Sequence, residues 1–465
     1  MECAHTVSLP ARIHRDGRSP NECLCVYVDS VVDGADCAAL VARGAPALKY
    51  ITQAADNEAS KTGAAVALQN PRLYQLAAWR DDEFAARLAA IQSQMASHRM
   101  GALLLTTESD IFYFTGFLSQ FWQSPTRPWF VVIPATGSPI AVIPEIGVNA
   151  MKSEFMTDIR SWASPHATDD GVSLLAETVL EVLAQSQSHT LGLNKGRETQ
   201  IRMPMNDFES LMDRLRGSVA GLCVIDATPA IQAVRMLKSE AEIDKIRYVA
   251  ECVSDVFDRL FTFAEVGMSD ADLFRRFTIE CLHAGVDTVS YLVGGAGPHG
   301  YDDIISPPAG RRLSTEDVLI FDTGCTFDGY FCDFDRNYGF GGVNDLAKKA
   351  HHSVWQATEA GLKAAVPGNT CAQVFAAMHE VLIAAGAMCE TVGRYGHGLG
   401  IQLTEPPSFT PWENTTLREG MVMTLEPGMV YAPGKMTVHE ENIVIRRDGP
   451  ELLSRRAPPE LPVKM

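Results

Sequence analysis

A repeat in the second half of the chain limits the fold most sharply. The stretch VGMSDADLFRRF begins at Val266 and PGNTCAQVFAAM at Pro367. Gly267 matches Gly368, Ser269 matches Thr370, Asp272 matches Gln373 and Phe274 matches Phe375. In each copy a hydroxyl residue precedes an acid or amide by three places, the pattern that caps an amphipathic helix. Both helices then reach a glycine at the same distance, Gly285 and Gly386, where a left-handed residue ends a helix. Each copy runs on into strand-like sequence. Two related helix-plus-sheet halves predict an α+β domain with an internal pseudo-two-fold repeat and a cleft between the halves.

The strand-like run after the first copy is FDTGCTFDGYFCDFDR, residues 321–336. Asp328-Gly329, flanked by apolar residues, is a strong two-residue hairpin signal. Folding about that turn sets Asp322 opposite Asp335. Asp333, two residues from Asp335, points to the same face. Like charges facing one another destabilise a sheet, so a divalent cation held by oxygens is the economical expectation. The alternative is a solvated polar face on an ordinary hairpin.

Three later motifs bear on the choice. Gly396-His397-Gly398-Leu399-Gly400 surrounds one imidazole with small residues, which leaves it room to reach a ligand. MVMTLEPG places Glu426 at the end of an apolar strand before a Pro-Gly turn. VHEENIVI carries Glu440 and Glu441 into a buried-looking strand. Alternation turns those two to opposite sides, and the pattern does not choose between them. Two Asp, one His and two Glu suit hard to borderline divalent metals and exceed what one tetrahedral zinc needs, which favours a two-metal centre and hydrolytic chemistry.

Composition bounds the rest. A chain of 465 residues exceeds one ordinary core, so two domains are expected. The net charge of −18 and the lack of a Lys/Arg run argue against a nucleic-acid or anionic-membrane partner. Eleven scattered cysteines, Cys23 and Cys25 included, read as reduced thiols. No stretch approaches ~18 uninterrupted apolar residues, and no secretory pattern opens the chain, so a cytoplasmic location is expected. Residues 1–75 are weakly patterned and carry no readable role. From Asp82 to His98, Phe84, Leu88, Ile91 and Met95 recur at helical spacing. Strands and helices then alternate, which predicts an α/β domain with a largely parallel sheet. A boundary falls near 228–238, after which Ser239 to Glu242 fits a capping box opening a long helix.

Taken together, FDTG with GYFCDFDR, then GHGLG, TLEPG and HEENIVI resemble the pita-bread metallopeptidases, the family of prolidase, aminopeptidase P, methionine aminopeptidase and creatinase. The segment RLAAIQSQMASHRMGALLLTTESDIFYFTGF resembles the creatinase/prolidase N-terminal domain. The resemblance implies an extension over 1–75, a creatinase-like domain over 76–232 and a pita-bread catalytic domain over 236–455. It implies Asp322, Asp333, His397, Glu426 and Glu441 as ligands of two divalent ions, with Asp333 and Glu441 bridging and Glu426 also moving a proton. Manganese is the first expectation, with zinc, cobalt or iron as alternatives. The implied activity is that of an Xaa-Pro dipeptidase or aminopeptidase-like metallopeptidase, working as a homodimer. The rival is a non-peptide enzyme on the same scaffold, such as a creatinase-like amidinohydrolase or a lyase of a small zwitterion. A non-catalytic binding protein fits worse, because all five ligands are present.

Three positions depart from the family pattern. Asp335 stands where Thr is usual, Thr404-Glu405 where the peptidases have a His before the Glu, and His439 where an Arg is expected. These residues are expected around the ligands or against the substrate. His299, in GGAGPHGYDD, is the nearest match to a catalytic substrate-contacting His upstream of Asp322.

Overall fold

The computed structural model describes residues 81–125, 127–388 and 393–465. The extension over 1–75, with Cys23 and Cys25, lies outside the described residues.

The first half is a six-stranded sheet in the order β4-β3-β2-β1-β5-β6. Its strands are β1 (Ala102–Leu105), β2 (Phe130–Pro134), β3 (Ile140–Pro144), β4 (Asp158–Trp162), β5 (Thr190–Leu193) and β6 (Cys223–Asp226). Leu103, Leu105, Val131, Ile133, Ala141 and Ile143 face one core, and Ala102, Leu104, Phe130, Val132, Ile140 and Val142 the other. Helices Val172–Gln185 and Met205–Ser218 cover the second face. Burial on both sides explains the near-continuous apolar runs. The sheet is more mixed than the alternation of strands and helices suggests. β2 runs antiparallel to both β1 and β3, and the turn at Gly137, which closes β2 and β3 into a hairpin, forces the second of these pairings.

Helix Thr228–Arg235 leads into the second half. Ser239 and Glu242 form the capping box, and helix Glu240–Asp258 buries Ile243, Ile246, Val249, Val253 and Phe257 against the first core. One sheet then carries β7 (Thr288–Pro298), β8 (Asp317–Phe327), β9 (Tyr330–Phe331) and β10 (Phe334–Phe340). A second contains β11 (His397–Gly398), β12 (Glu405–Ser408), β13 (Val422–Leu425), β16 (Glu441–Arg446) and β17 (Gly449–Leu452). The hairpin of β14 (Gly428–Ala432) and β15 (Lys435–Val438) stands apart, and β18 (Val463–Lys464) joins the edge of β10.

The repeat is built into this framework. Ser269 caps helix Asp270–Ala284 and Thr370 caps helix Cys371–Ala384. Gly285 and Gly386 end them with φ of 112° and 85°. Gly267 N donates to Leu313 O at 2.8 Å, and Gly368 N to Leu417 O at 3.0 Å. Ser269 bridges to Arg312 and Thr370 to Thr416. Asp322 follows Leu313 by the same interval as Glu426 follows Leu417, so the two halves present one carboxylate each at the same place.

Candidate metal centre

The hairpin forms as its turn residues require. Asp328 and Gly329 have φ of 47° and 78°, the paired positive values of a tight hairpin turn. Phe327 pairs with Tyr330, and the same register carries Asp335 opposite Asp322. All of β8 and β10 is buried, so these carboxylates stand in a dry interior.

His397 enters from β11. Gly396 before it has φ of 125°, and a Cβ there would lie 2.2 Å from the carbonyl O of Thr424. Only glycine lets β11 lie this close to β13. Nδ1 of His397 is 2.9 Å from the carbonyl O of Gly398. A carbonyl only accepts, so Nδ1 carries the proton and Nε2 presents its lone pair. Burial holds the imidazole down at about 4, neutral at neutral pH.

The two glutamates meet through a second ladder. Leu425 pairs with Glu441. One step further, Glu426 faces Glu440, and His439 N donates to Pro427 O in the same register. Glu440 therefore turns inward, and ligand atoms of Asp333, His397 and Glu440 lie within 4.8 Å of one another.

Glu441 does not join this group, which corrects the assignment drawn from the motif. Its oxygens accept from Arg336 at 3.0 Å, Ala457 N at 3.0 Å, Arg456 at 3.3 Å and the Ser454 hydroxyl. The reason is alternation: Leu425 and Glu441 share one side of the ladder, Glu426 and Glu440 the other.

The cluster repels itself. Burial first, then Asp322, Glu426 and Asp335, raises Asp333 well above the carboxylate range. Burial pushes Asp322 up to about 7 against the help of Tyr291, and burial with Asp322 pushes Glu426 up to about 8. Burial and the neighbouring acids raise Asp335 and Glu440 likewise. Oδ1 of Asp322, Oδ1 of Asp335 and Oε1 of Glu440 are buried without a hydrogen-bond partner. Buried orphan oxygens around an imidazole lone pair are the donor set of a cationic site. These residues fit divalent metal.

The other expected residues lie elsewhere. His299 follows β7, whose Pro298 pairs with Asp317 whereas its Val293 pairs with Asp322. That is five ladder positions away, and His299 instead approaches Glu316 at 3.7 Å. His439 is buried behind the ladder, with Thr358 Oγ1 at 2.9 Å and Arg456 at 3.3 Å. Glu405 is buried between Arg235 and Lys238. Burial opposes its charge, but the two cations prevail and hold it at about 2. The residue that sequence reading missed is Tyr291, whose hydroxyl donates to Oδ2 of Asp322 at 3.0 Å. Nothing in a lone strand tyrosine marks it before the β7–β8 register is known.

A cavity of about 1010 Å³ is lined among others by Thr107, Asn194, Arg235, Thr326, Leu403 and Thr404, and by none of the residues that would hold metal. Leu403 sits over Gly324, where a Cβ would come within 2.3 Å of it. Gly324 lies between Asp322 and Thr326 on one face of β8, so the cavity and the carboxylates share that face.

Buried paired carboxylates on a pseudo-two-fold scaffold, after a mixed-sheet domain, define a family. Residues 87–237 match the creatinase/prolidase N-terminal domain and residues 244–447 match metallopeptidase family M24. The chain belongs to the pita-bread metallopeptidases and is a metal-dependent hydrolase. It is similar to the probable dipeptidase PepE of Mycobacterium tuberculosis, 28% identical over 382 residues, which is 81% of this chain and 96% of that protein. The crystal structure of dipeptidase PepE from Mycobacterium ulcerans superposes with a TM-score of 0.72 at 27% identity, over 83% of this chain and 99% of that one. A prolidase from Thermococcus sibiricus shares the fold at 24% identity and a TM-score of 0.72, over 82% of this chain and 99% of that one.

Proposed function

We propose that the chain is a dinuclear metallopeptidase acting on dipeptides, Xaa-Pro dipeptides first, with Asp322, Asp333, His397, Glu426 and Glu440 holding two divalent ions. The observation that carries this is the inward set of buried, unpartnered oxygens beside the Nε2 lone pair of His397. Bound there, two divalent ions would polarise a scissile carbonyl and acidify water. The chain's own residues do the rest. Tyr291 orients Asp322. Arg336, through Glu441 and the Glu440 carbonyl, fixes the strand that delivers Glu440. Glu426, half-buried and carrying a raised pKa, is placed to hold a proton and pass it to a leaving amine.

Manganese is the metal we favour, because the set is oxygen-rich with one imidazole. We also propose a cytoplasmic homodimer, with domains over 76–232 and 236–455. Thr404 favours a second reading. It lines the cavity where the family resemblance calls for a His that contacts the substrate. Without that contact, a small amide other than an Xaa-Pro dipeptide is the alternative substrate.

The test is an activity screen of the manganese-loaded protein against Xaa-Pro dipeptides, other dipeptides and small amides. Xaa-Pro turnover supports the first reading. Turnover of another amide alone removes it and leaves the second.

A further inference from the structure

The five-ligand reading leaves out Asp335, which has no cation of its own. The side chain is 2% exposed, and Oδ1 has no hydrogen-bond partner. The neighbouring Arg336 favours its charge from a distance but makes no hydrogen bond to the carboxylate. That guanidinium reaches the carbonyl O atoms of Asp335, Glu440 and Arg455 and the Glu441 carboxylate. Tyr301, also close by, gives its hydroxyl proton to Asn337 at 2.6 Å.

The repeat supplies an independent argument. In the second half, Glu426 faces Glu440 across a ladder, and both turn inward. In the first half, Asp322, the counterpart of Glu426, faces Asp335. Asp335 thus occupies, by register, the place that Glu440 occupies in the other half. Each half contributes a facing carboxylate pair, and Asp333 and His397 are added to those four.

We propose that Asp335 is a sixth protein ligand of the centre, giving an oxygen to the ion that Asp322 holds. The proposal rests on the dinuclear reading above. A fifth carboxylate raises both the negative charge and the number of oxygens, which suits hard six-coordinate ions such as manganese better than tetrahedral zinc.

The test is calorimetric titration of the metal-free, full-length protein with manganese and, separately, zinc. Wild type, Asp335→Asn, Asp335→Thr and Asp333→Ala are compared. The expected result is two manganese ions in wild type and affinity at one site weakened roughly tenfold or more in both Asp335 variants. The preference for manganese over zinc should fall with it. Asp335→Asn and Asp335→Thr binding two manganese ions as tightly as wild type would overturn the proposal, including when KM alone rises, which would mark a contact to a substrate amine. Asp333→Ala separates the two levels. If it binds metal as well as wild type, the metal centre itself is misread. If it loses metal while Asp335→Asn does not, only the sixth ligand fails. Should the Asp335 variants not fold, a crystal of manganese-loaded wild type decides. An Asp335 oxygen bonded to an ion supports the proposal, and a carboxylate turned away from both ions overturns it.

Discussion

Nε2 of His397 lies 3.4 Å from Oδ2 of Asp333, and the imidazole has no proton to give on that side. Nδ1 of the imidazole is committed to Gly398, so a lone pair faces a carboxylate in a buried site. Such a contact is repulsive until a proton on Asp333 or a cation lies between the two, and a metal ion displaces that proton. Asp333→Asn should therefore cost metal affinity far more than fold. We expect loss of at least one bound ion and of most activity, read by elemental analysis of the purified variant and by steady-state rates.

Glu440 and Glu441 are neighbours in the chain but serve different roles. Glu440→Gln should lose metal while its thermal midpoint without metal holds or rises, since a repelled carboxylate is removed. Glu441→Ala should keep two ions but unfold more easily, by about 3–5 kcal/mol, because Arg336 and Arg456 lose a buried partner. Urea denaturation alongside metal counting checks the pair, and an exchange of the two phenotypes would restore Glu441 as the ligand.

Metal removal should matter more as pH rises. Without metal, Asp322 and Glu426 take their protons at about 7 and about 8, above the ordinary carboxylate range. A raised value means the folded state holds protons that the unfolded chain releases, so stability falls as pH climbs from that ordinary range to those values. The metal-free protein should lose thermal stability across this window while the loaded protein changes little. Metal binding in the same window should release protons, seen as buffer-dependent heats.

Tyr291→Phe removes one donor from Asp322 and nothing else. A hydrogen bond to a charged group is worth about 1.5–3 kcal/mol. Metal affinity at one site should therefore weaken by about 10- to 150-fold, measured by competition with a chelating dye. A purely structural Tyr291 would leave that affinity unchanged.

Gly396→Ala should be among the most damaging single changes. Its φ of 125° strains any side chain, and the added Cβ would meet the Thr424 carbonyl. A loss of about 3 kcal/mol or more is expected, with His397 displaced and metal binding weakened. Thermal melts with and without manganese would show both effects.

Much of this was legible in the sequence because turn and cap chemistry is local. Asp328-Gly329 set the hairpin and hence the facing of Asp322 and Asp335. Ser269 and Thr370 announced the repeat. What was not legible depended on which face a strand shows. The usual inside-outside alternation fails at β16, since Ile443 and Ile445 pack in one core and Val444 in another. With both faces apolar, nothing in ENIVI tells Glu440 from Glu441, and only the pairing with β13 decides. The first sheet, expected to be largely parallel, is parallel at β1–β5, β5–β6 and β3–β4 and antiparallel only on the two sides of β2, where pattern does not give direction. Both faces of β2 and β3 are covered, so their composition reads alike in either direction. His299 is near Asp322 in sequence, but β7 runs five ladder positions past Asp322 and carries it away from the centre.

Arg235 has a mechanical consequence. It joins Asp110 of the first domain to Glu405 at the cavity wall, and all three are buried. Swinging the domains apart would take Arg235 from Asp110 or from Glu405 and break a buried ion pair, so this shared guanidinium opposes opening. The cavity is thus a fixed mould rather than a jaw. Substrates should be sorted by whether they fit its standing shape, with no closing motion to reward the correct one.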